Sequence, residues 1–383
     1  MAQKQKRTKI VIILFIFVIY FFVAARPVPK EAVLTLNWIN SVSGAEVLQK
    51  TDDEPALSSF DNLLPFTLGD RFGYVDPSGQ FVLNKIKRND IYLSHNMWTE
   101  YSAEPSSIVL GNIADNSQIT IENTRGYPIL LDNRIFIFGS EQNSISEIDV
   151  FQNTLWTYEF GAPLTAFDAA AGLVLTGSLD GVMEVFNSAG ERIFYFEPSG
   201  SRYSVILGCA LSRNGSRIAV VCGIDRQRFL IFERLPGSVG EYKIIYHEFL
   251  ETGFRRPVRV LFVDNDQRIV FEYEGGLGVY NIKSRRVVHI PLEGSITAID
   301  QSGERGFLFL ITSHSESQKK LTGIRFPPDN LLGISSSPEC MIFMKAPFSS
   351  DNIFLGRSGG ENISSQLVIG GGTALISFNL EEK

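Results

Sequence analysis

Cysteine and histidine are nearly missing from this 383-residue chain, with three of one and four of the other. Three cysteines are too few for a disulfide framework. Cys209 and Cys222 flank the turn Asn214-Gly215 and so fall on neighbouring strands, where Cys209 faces about residue 220 rather than Cys222. Buried free thiols are therefore expected over a bridge. His95, His247, His289 and His314 do not stand at metal-ligand spacing and none pairs with a cysteine, so no zinc site is expected. Positive charge is also short: the formal net charge is −7 and the pI about 5.3. That argues against non-specific nucleic-acid binding, which needs a basic surface to displace counterions. No long amphipathic helical pattern appears beyond the N-terminus. The chain is instead rich in aromatics, 29 Phe and 12 Tyr, and is punctuated by 33 Gly. This balance favours an all-β class.

The N-terminus is basic at Lys4, Lys6, Arg7 and Lys9, and residues 10–25 then run without a charge up to Arg26-Pro27. A basic flank before an apolar run keeps the N-terminus in the cytoplasm and sends the downstream chain outward. Sixteen uncharged residues stand at the short edge of the ~17–25 needed to span. An uncleaved signal anchor is preferred, and a cleaved signal peptide, ending near Val23-Ala24-Ala25, is the alternative. The expected division is a cytoplasmic tail at 1–9, a transmembrane anchor at 10–25, a linker or closing segment at 26–59, and the main domain at 60–383. Within the third segment residues 33–39 read as a strand and 49–55 as a polar linker.

Residues 165–198 read as four short strands. Residues 165–168, 172–178, 182–186 and 193–196 are the strands. Asp180-Gly181 is a hairpin signal, and residues 187–190 form a second turn. Four strands in 34 residues leave no room for a parallel crossover, so the sheet is an antiparallel meander. Leu173, Val174 and Leu175 are consecutive and apolar, so neither face of that sheet suits water. Stacking such sheets around an axis covers both faces. Comparable apolar runs start at residues 71, 134, 172, 217, 268, 306 and 352, separated by 63, 38, 45, 51, 38 and 46 residues. Five of these six spacings fit a propeller-blade period of roughly 40–50 residues. The long first gap reads as an insertion near residues 102–125 or an extra sheet. A turn precedes each run after the first: Asp132-Asn133, Ala171-Gly172, Asn214-Gly215, Asn265-Asp266, Ser302-Gly303 and Ser350-Asp351. The expectation is an all-β β-propeller of seven four-stranded blades, six and eight being the alternatives, preceded by the transmembrane or signal helix.

Glu147-Ile148-Asp149 followed by Leu155-Trp156-Thr157-Tyr158 resembles the repeat of PQQ-like (quinoprotein-type) propellers. Residues 181–184 with 187–192 resemble the same unit, with Phe194 in the place of the Trp. WD-type propellers are the near alternative, although no Gly-His…Trp-Asp pair is present. The resemblance implies the fold. It carries over no quinone cofactor, since no residues suited to binding one are visible, and no cofactor or metal is expected.

Residues 356–360 match G-x-S-x-G, but a strand rather than a helix follows and no histidine lies beyond His314, against a nucleophile elbow. Asp264-Asn265-Asp266 lacks the further oxygen ligands of a calcium loop and reads as a turn. The glycine-rich residues 275–278 and 370–372 open no helix that could hold phosphate. Asn214-Gly215-Ser216 and Asn362-Ile363-Ser364 match glycan acceptors. The densest basic spots are Arg226 with Arg228, and Arg255, Arg256 with Arg259; they are the candidate partner-binding loops for an acidic partner. The expected function is a non-enzymatic, protein-binding or scaffolding propeller. It would be tethered through residues 10–25 to the outer face of the cytoplasmic membrane, with no nucleic-acid partner. A quinone-dependent dehydrogenase or hydrolase with dispersed acids, and a ligand-sensing ectodomain, are the alternatives.

Overall fold

The computed structural model describes residues 13–17, 20, 32–44, 62–102, 107–122, 126–251, 253–300, 306–315, 318–326, 340–358 and 366–382. The chain divides into two compact units, residues 36–379 and a smaller one of residues 1–35 with 380–383. In the smaller unit residues 13–17 and 20 are helical, and the rest of the expected anchor at 10–25 lies outside the described residues. Among the described residues no helix is long and apolar enough to cross a membrane. This corrects the expected transmembrane or signal helix. The physical reason is length: at about 1.5 Å per residue sixteen uncharged residues, even if wholly helical, would span only about 24 Å, against roughly 30 Å of hydrocarbon.

The sheets belong to the larger unit, apart from residues 32–35 of the first strand and 380–382 of the last. The first strand is β1 (Ala32–Ser41). Sheet 1 is β2 (Leu64–Leu68), β3 (Arg71–Val75) and β4 (Phe81–Ile86). Sheet 2 is β5 (Asp90–Leu93), β6 (Met97–Tyr101), β7 (Ser107–Asn112) and β8 (Gln118–Glu122). Sheet 3 is β9 (Gly126–Leu131), β10 (Arg134–Gly139), β11 (Ser144–Ile148) and β12 (Thr154–Glu159). Sheet 4 is β13 (Leu164–Ala170), β14 (Leu173–Ser178), β15 (Met183–Phe186) and β16 (Arg192–Phe196). Sheet 5 is β17 (Ile206–Leu211), β18 (Arg217–Cys222), β19 (Arg228–Arg234) and β20 (Tyr242–Phe249). Sheet 6 is β21 (Val260–Val263), β22 (Arg268–Tyr273), β23 (Gly276–Asn281) and β24 (Arg286–Pro291). Sheet 7 is β25 (Ser295–Ile299), β26 (Phe307–Ser313), β27 (Gln318–Arg325) and β28 (Met341–Ser349). Sheet 8 is β29 (Ile353–Ser358), β30 (Gln366–Gly371) and β31 (Ala374–Glu382), completed by β1.

The described residues thus form eight sheets, not the seven expected. The missed one is sheet 2, inside the long gap between residues 71 and 134, where an extra sheet was the alternative to an insertion. Its second strand, β6, reads Met-Trp-Thr-Glu-Tyr and buries Thr99 beside Trp98, so no unbroken apolar run marks it. The last run of the series is likewise not a second strand. It is β29, the first strand of sheet 8, and β30 is its neighbour.

Adjoining sheets meet through their first strands, β13 against β17 and β17 against β21, so the first strands are innermost. Apolar clusters join sheets 1 and 2, 2 and 3, 3 and 4, 4 and 5, 5 and 6, 6 and 7, and 8 and 1. Between sheets 7 and 8 stands a buried ion pair. Arg357 on β29 reaches Asp300 at 3.1 Å and donates to the Phe307 carbonyl at 2.9 Å. The circle is closed by β1, which supplies the fourth strand beside β31 and covers the strand expected at 33–39. The hairpin register matches expectation where Asn214-Gly215 sets it: Cys209 pairs with Val220, and Cys209 and Cys222 are buried free thiols.

Candidate functional site

Four antiparallel strands per sheet bring the chain back to the side where it started. Across sheets 4, 5 and 6 the sheet-to-sheet connections and the second-to-third-strand turns therefore share one face, here the linker face. Hydrogen bonds tie the two kinds of loop together: Leu179 N to Pro163 O at 2.9 Å, Gly223 N to Val205 O at 2.8 Å and Leu250 N to Gln227 O at 2.9 Å. Gly181 permits the closest approach. Its φ is +90°, and a Cβ there would lie 1.5 Å from the Ser204 carbonyl oxygen.

All five sequence-selected arginines stand on this face, in two different roles. Arg226 and Arg228 share one ring: their guanidinium carbons lie 4.7 and 4.9 Å from the Phe249 centroid. Arg228 donates to the Ser199 carbonyl at 2.6 Å, and among the described residues neither arginine has a carboxylate partner. Arg255 is exposed. Arg256 and Arg259 are structural. Arg256 pairs with buried Glu272 at 2.6 Å and stacks on Phe254 at 4.0 Å. Arg259 donates to the Ile296 and Thr297 carbonyls of sheet 7 at 2.7 and 3.1 Å, with Glu272 3.7 Å away. Those carbonyls are available because β25 bulges between Ile296 and Ala298.

Sequence reasoning missed the apolar half of the face. Tyr203 is 63% exposed, and Leu179 and Phe249 are about half exposed, all in or beside linker-face loops. Between the inner strands of sheets 3 and 4 the same face opens a cavity of about 270 Å³, lined by Tyr127, Ile129, Phe138, Gln142, Leu164, Thr165, Ala166 and Phe167. Thr165 is not free to line it as a donor, since its hydroxyl is spent on the Ile206 carbonyl at 2.5 Å.

The channel wall carries one displaced carboxylate. Burial pushes the Asp168 carboxyl, on β13, up to about 6, against amide hydrogen bonds from Leu211 and Ala169 that pull the other way. Those bonds, 2.7 Å from Leu211 N and 2.9 Å from Ala169 N, occupy both oxygens and clasp sheet 4 to sheet 5. Burial first, then Asp168 and Tyr101, raises the Tyr92 hydroxyl to about 12. Asp132 and Asp264 make the same kind of clasp in the turns of the opposite face, to Gly172 N at 2.9 Å and Gly306 N at 3.4 Å. The sequence Asp264-Asn265-Asp266 is thus a clasp and turn, with positive φ at all three residues. Among the described residues no three His, Cys, Asp or Glu side chains cluster to hold a metal ion. His289 lies 3.4 Å from Glu248 and His314 lies 3.8 Å from Glu293, while His95 and His247 are exposed. In the G-x-S-x-G stretch the arginine, Arg357, is consumed by Asp300, residues 359–365 lie outside the described residues, and strand β30 comes next.

A family model described as beta-propeller protein matches residues 1–365. The chain belongs to the beta-propeller protein family. A relative from Treponema pallidum (strain Nichols), named only as an uncharacterized protein, is 26% identical over 302 residues, 78% of this chain and 79% of its own length. Among solved structures, the computationally designed Ika8 protein aligns at a TM-score of 0.55 and 13% identity, covering 84% of this chain and 93% of its own. A chain from the crystal structure of the mitotic checkpoint complex gives 0.51 and 14%, covering 88% and 97%. KlHsv2 with loop 6CD replaced by a Gly-Ser linker gives 0.51 and 11%, covering 70% and 92%. These structural likenesses carry the propeller fold, and family membership rests on the family model. The match assigns the propeller without assigning a quinoprotein or WD subtype to its blades.

Proposed function

We propose that this propeller is a non-enzymatic docking module that holds a protein partner against the linker face of sheets 4 to 6. The observation that carries the reading is composition in one place: exposed Tyr203, Phe249 and Leu179 stand among Arg202, Arg226, Arg228 and Arg255. Tyrosine and arginine dominate the energetic centres of protein interfaces, and a contiguous exposed apolar patch on a folded domain marks an interaction surface. Asp180 and Asp225 in the adjoining turns are exposed but are held by hydrogen bonds within those turns. Asp180 accepts from the Ser178 hydroxyl, and Asp225 accepts from the Ser201 hydroxyl and the Arg202 amide. Arg226 and Arg228, which form no ion pair among the described residues, are the cations that favour a partner with an acidic surface.

The residue pattern of 134–198 supports assigning the blades to the quinoprotein type, as a scaffold rather than a cofactor enzyme. The basic-then-uncharged residues 4–25 support export to the cell envelope, which fusion of alkaline phosphatase to the C-terminus tests by its activity. The docking reading is tested in cells with a photocrosslinking amino acid at position 203, and at position 151 on the opposite face as control. A discrete protein adduct at 203, lost in the Arg226→Glu/Arg228→Glu variant, is expected. Adducts at 151 and none at 203 would reverse the assignment of the face.

A further inference from the structure

The cavity between sheets 3 and 4 and the cluster of Arg226 and Arg228 on Phe249 lie on one face, and neither is explained by the other. The cavity is about 270 Å³. That exceeds the roughly 150 Å³ that accepts a benzene-sized guest and falls below the ~300–1,000 Å³ of drug-sized ligand sites. It fits one bulky side chain. Its lining is apolar except for Gln142 and Thr165, and the Thr165 hydroxyl is already donated to Ile206 O, with Gly177 O at 3.2 Å as the weaker acceptor. A charged or strongly polar guest would lose its hydration there without replacement.

The arginine pair has the opposite chemistry. Two guanidinium groups against one ring repel each other, and neither forms an ion pair among the described residues, the exposed Asp225 beside them accepting from Ser201 and the Arg202 amide instead. Gly200, with φ +107°, packs against both: a Cβ there would lie 3.3 Å from Arg228 and 3.5 Å from Phe249. A partner carboxylate would relieve the repulsion and gain charge-assisted hydrogen bonds. A carboxylate is favoured over an isolated anion because the neighbouring cavity asks for an apolar side chain on the same molecule.

We propose that the linker face binds a linear peptide segment with one large apolar residue in the sheet 3–4 cavity and at least two Asp or Glu residues at Arg226 and Arg228. The spacing follows from sheet geometry. Sheets stand about 10 Å apart and strands about 4.8 Å apart. From the inner strands between sheets 3 and 4 to the outer strands of sheet 5 is therefore roughly 20 Å, about six residues of extended chain at ~3.3 Å each. Tyr203 lies on the connection between the two subsites and covers the middle of the segment.

This assignment rests on the docking reading, and its test separates the two. A phage-displayed library of random twelve-residue peptides is selected on the immobilised full chain, and the dominant peptide is made with a fluorescein label for anisotropy. Enriched sequences are expected to place a Phe, Leu, Met or Trp four to eight positions from a pair of Asp or Glu. Replacing the apolar residue by Ala, or the acids by Asn and Gln, is expected to weaken binding about tenfold or more in each case. These changes leave the protein untouched, so misfolding cannot mimic them. The Arg226→Glu/Arg228→Glu variant is expected to lose the same tenfold for the acidic peptide and little for its amide form. No enrichment, enrichment without that spacing, or indifference to either replacement would overturn the proposal. A partner adduct at position 203 persisting alongside any of those results would leave docking in place with a different ligand.

Discussion

Asp168 sets a pH dependence of stability that can be worked through. Its carboxyl is raised from 3.8 to about 6 by burial, with Asp132 adding a like charge. A raised carboxyl favours the neutral form in the folded state, so ionisation opposes folding. The offset of roughly two pH units corresponds to about 3 kcal/mol. The sign then runs against ordinary acid denaturation. Stability contributed by Asp168 increases as pH falls through 6 and is fully gained only below 3.8. Between pH 7.5 and 5.0 the linkage relation yields about 1.4 kcal/mol in favour of the lower pH. Asp115, Asp149, Asp225 and Glu293 are shifted downward, the first three by hydrogen bonds and Glu293 by Lys320. Such groups lose stability chiefly below about pH 4.5, outside this window. The assay is urea unfolding of the wild type and Asp168→Asn at both pH values. Asparagine keeps an acceptor for one of the two amides and cannot ionise. Taking the difference between the proteins removes every other titration. The wild type is expected to gain about 1.4 kcal/mol over the variant on going from pH 7.5 to 5.0. Parallel behaviour of the two proteins would refute the buried, ionisable clasp.

Three further outcomes rest on the packing. Glu147 is buried and accepts from Arg134 at 2.8 and 2.5 Å and from the Trp156 indole at 2.6 Å, so Glu147→Ala should cost about 3–5 kcal/mol by stranding the arginine, read by chemical denaturation. Gly181→Ala should destabilise at least twice as much as Gly172→Ala. Both have positive φ, but the added methyl meets the Ser204 carbonyl at 1.5 Å in one and nothing within 4 Å in the other; the open site should cost about 1–2 kcal/mol. Arg357→Met should cost about 3–5 kcal/mol by leaving Asp300 charged and buried, and Arg357→Met with Asp300→Leu should recover most of it. Failure of that double variant to recover would mean that bonds other than the pair, the arginine's to the Phe307 carbonyl among them, hold sheets 7 and 8 together.

The fold was legible where apolar runs and turn chemistry coincide. In sheet 4 the four expected strands fall on β13 to β16 within a residue or two, because Asp180-Gly181 and Asn187–Gly190 set the turns and Leu173 to Leu175 have no polar face to offer water. The blade count failed where the core is built differently. In sheet 2 it rests on Trp98, whose ring packs on Phe72 at 5.5 Å, and on Met97, so two large side chains replace an apolar run. In sheet 8, which was counted, it was the strand order that failed: the second strand ends in Gly370 and Gly371, and Gly370 makes room for Phe354 and Leu68. A glycine pair that serves packing reads in sequence as a turn.

The site was half legible, for a reason that applies to any arginine-rich loop. Arg226, Arg228, Arg255, Arg256 and Arg259 are equivalent as letters. What separates them is the distance to a buried carboxylate on another strand. Glu272 lies on β22, thirteen residues beyond Arg259 in the chain, yet its two oxygens sit 2.6 Å from Arg256 and 3.7 Å from Arg259. A carboxylate that is 2% exposed needs a cation to stay charged there, and its demand commits both arginines to the fold. Arg226 and Arg228 face Phe249, which places no such demand. An aromatic ring orients a guanidinium without neutralising it, so the charge remains available to a partner. Arg256→Ala should therefore lower stability and Arg226→Ala should not. Melting the two variants side by side decides it: equal losses would remove the distinction between structural and outward-facing arginines on which the docking face depends.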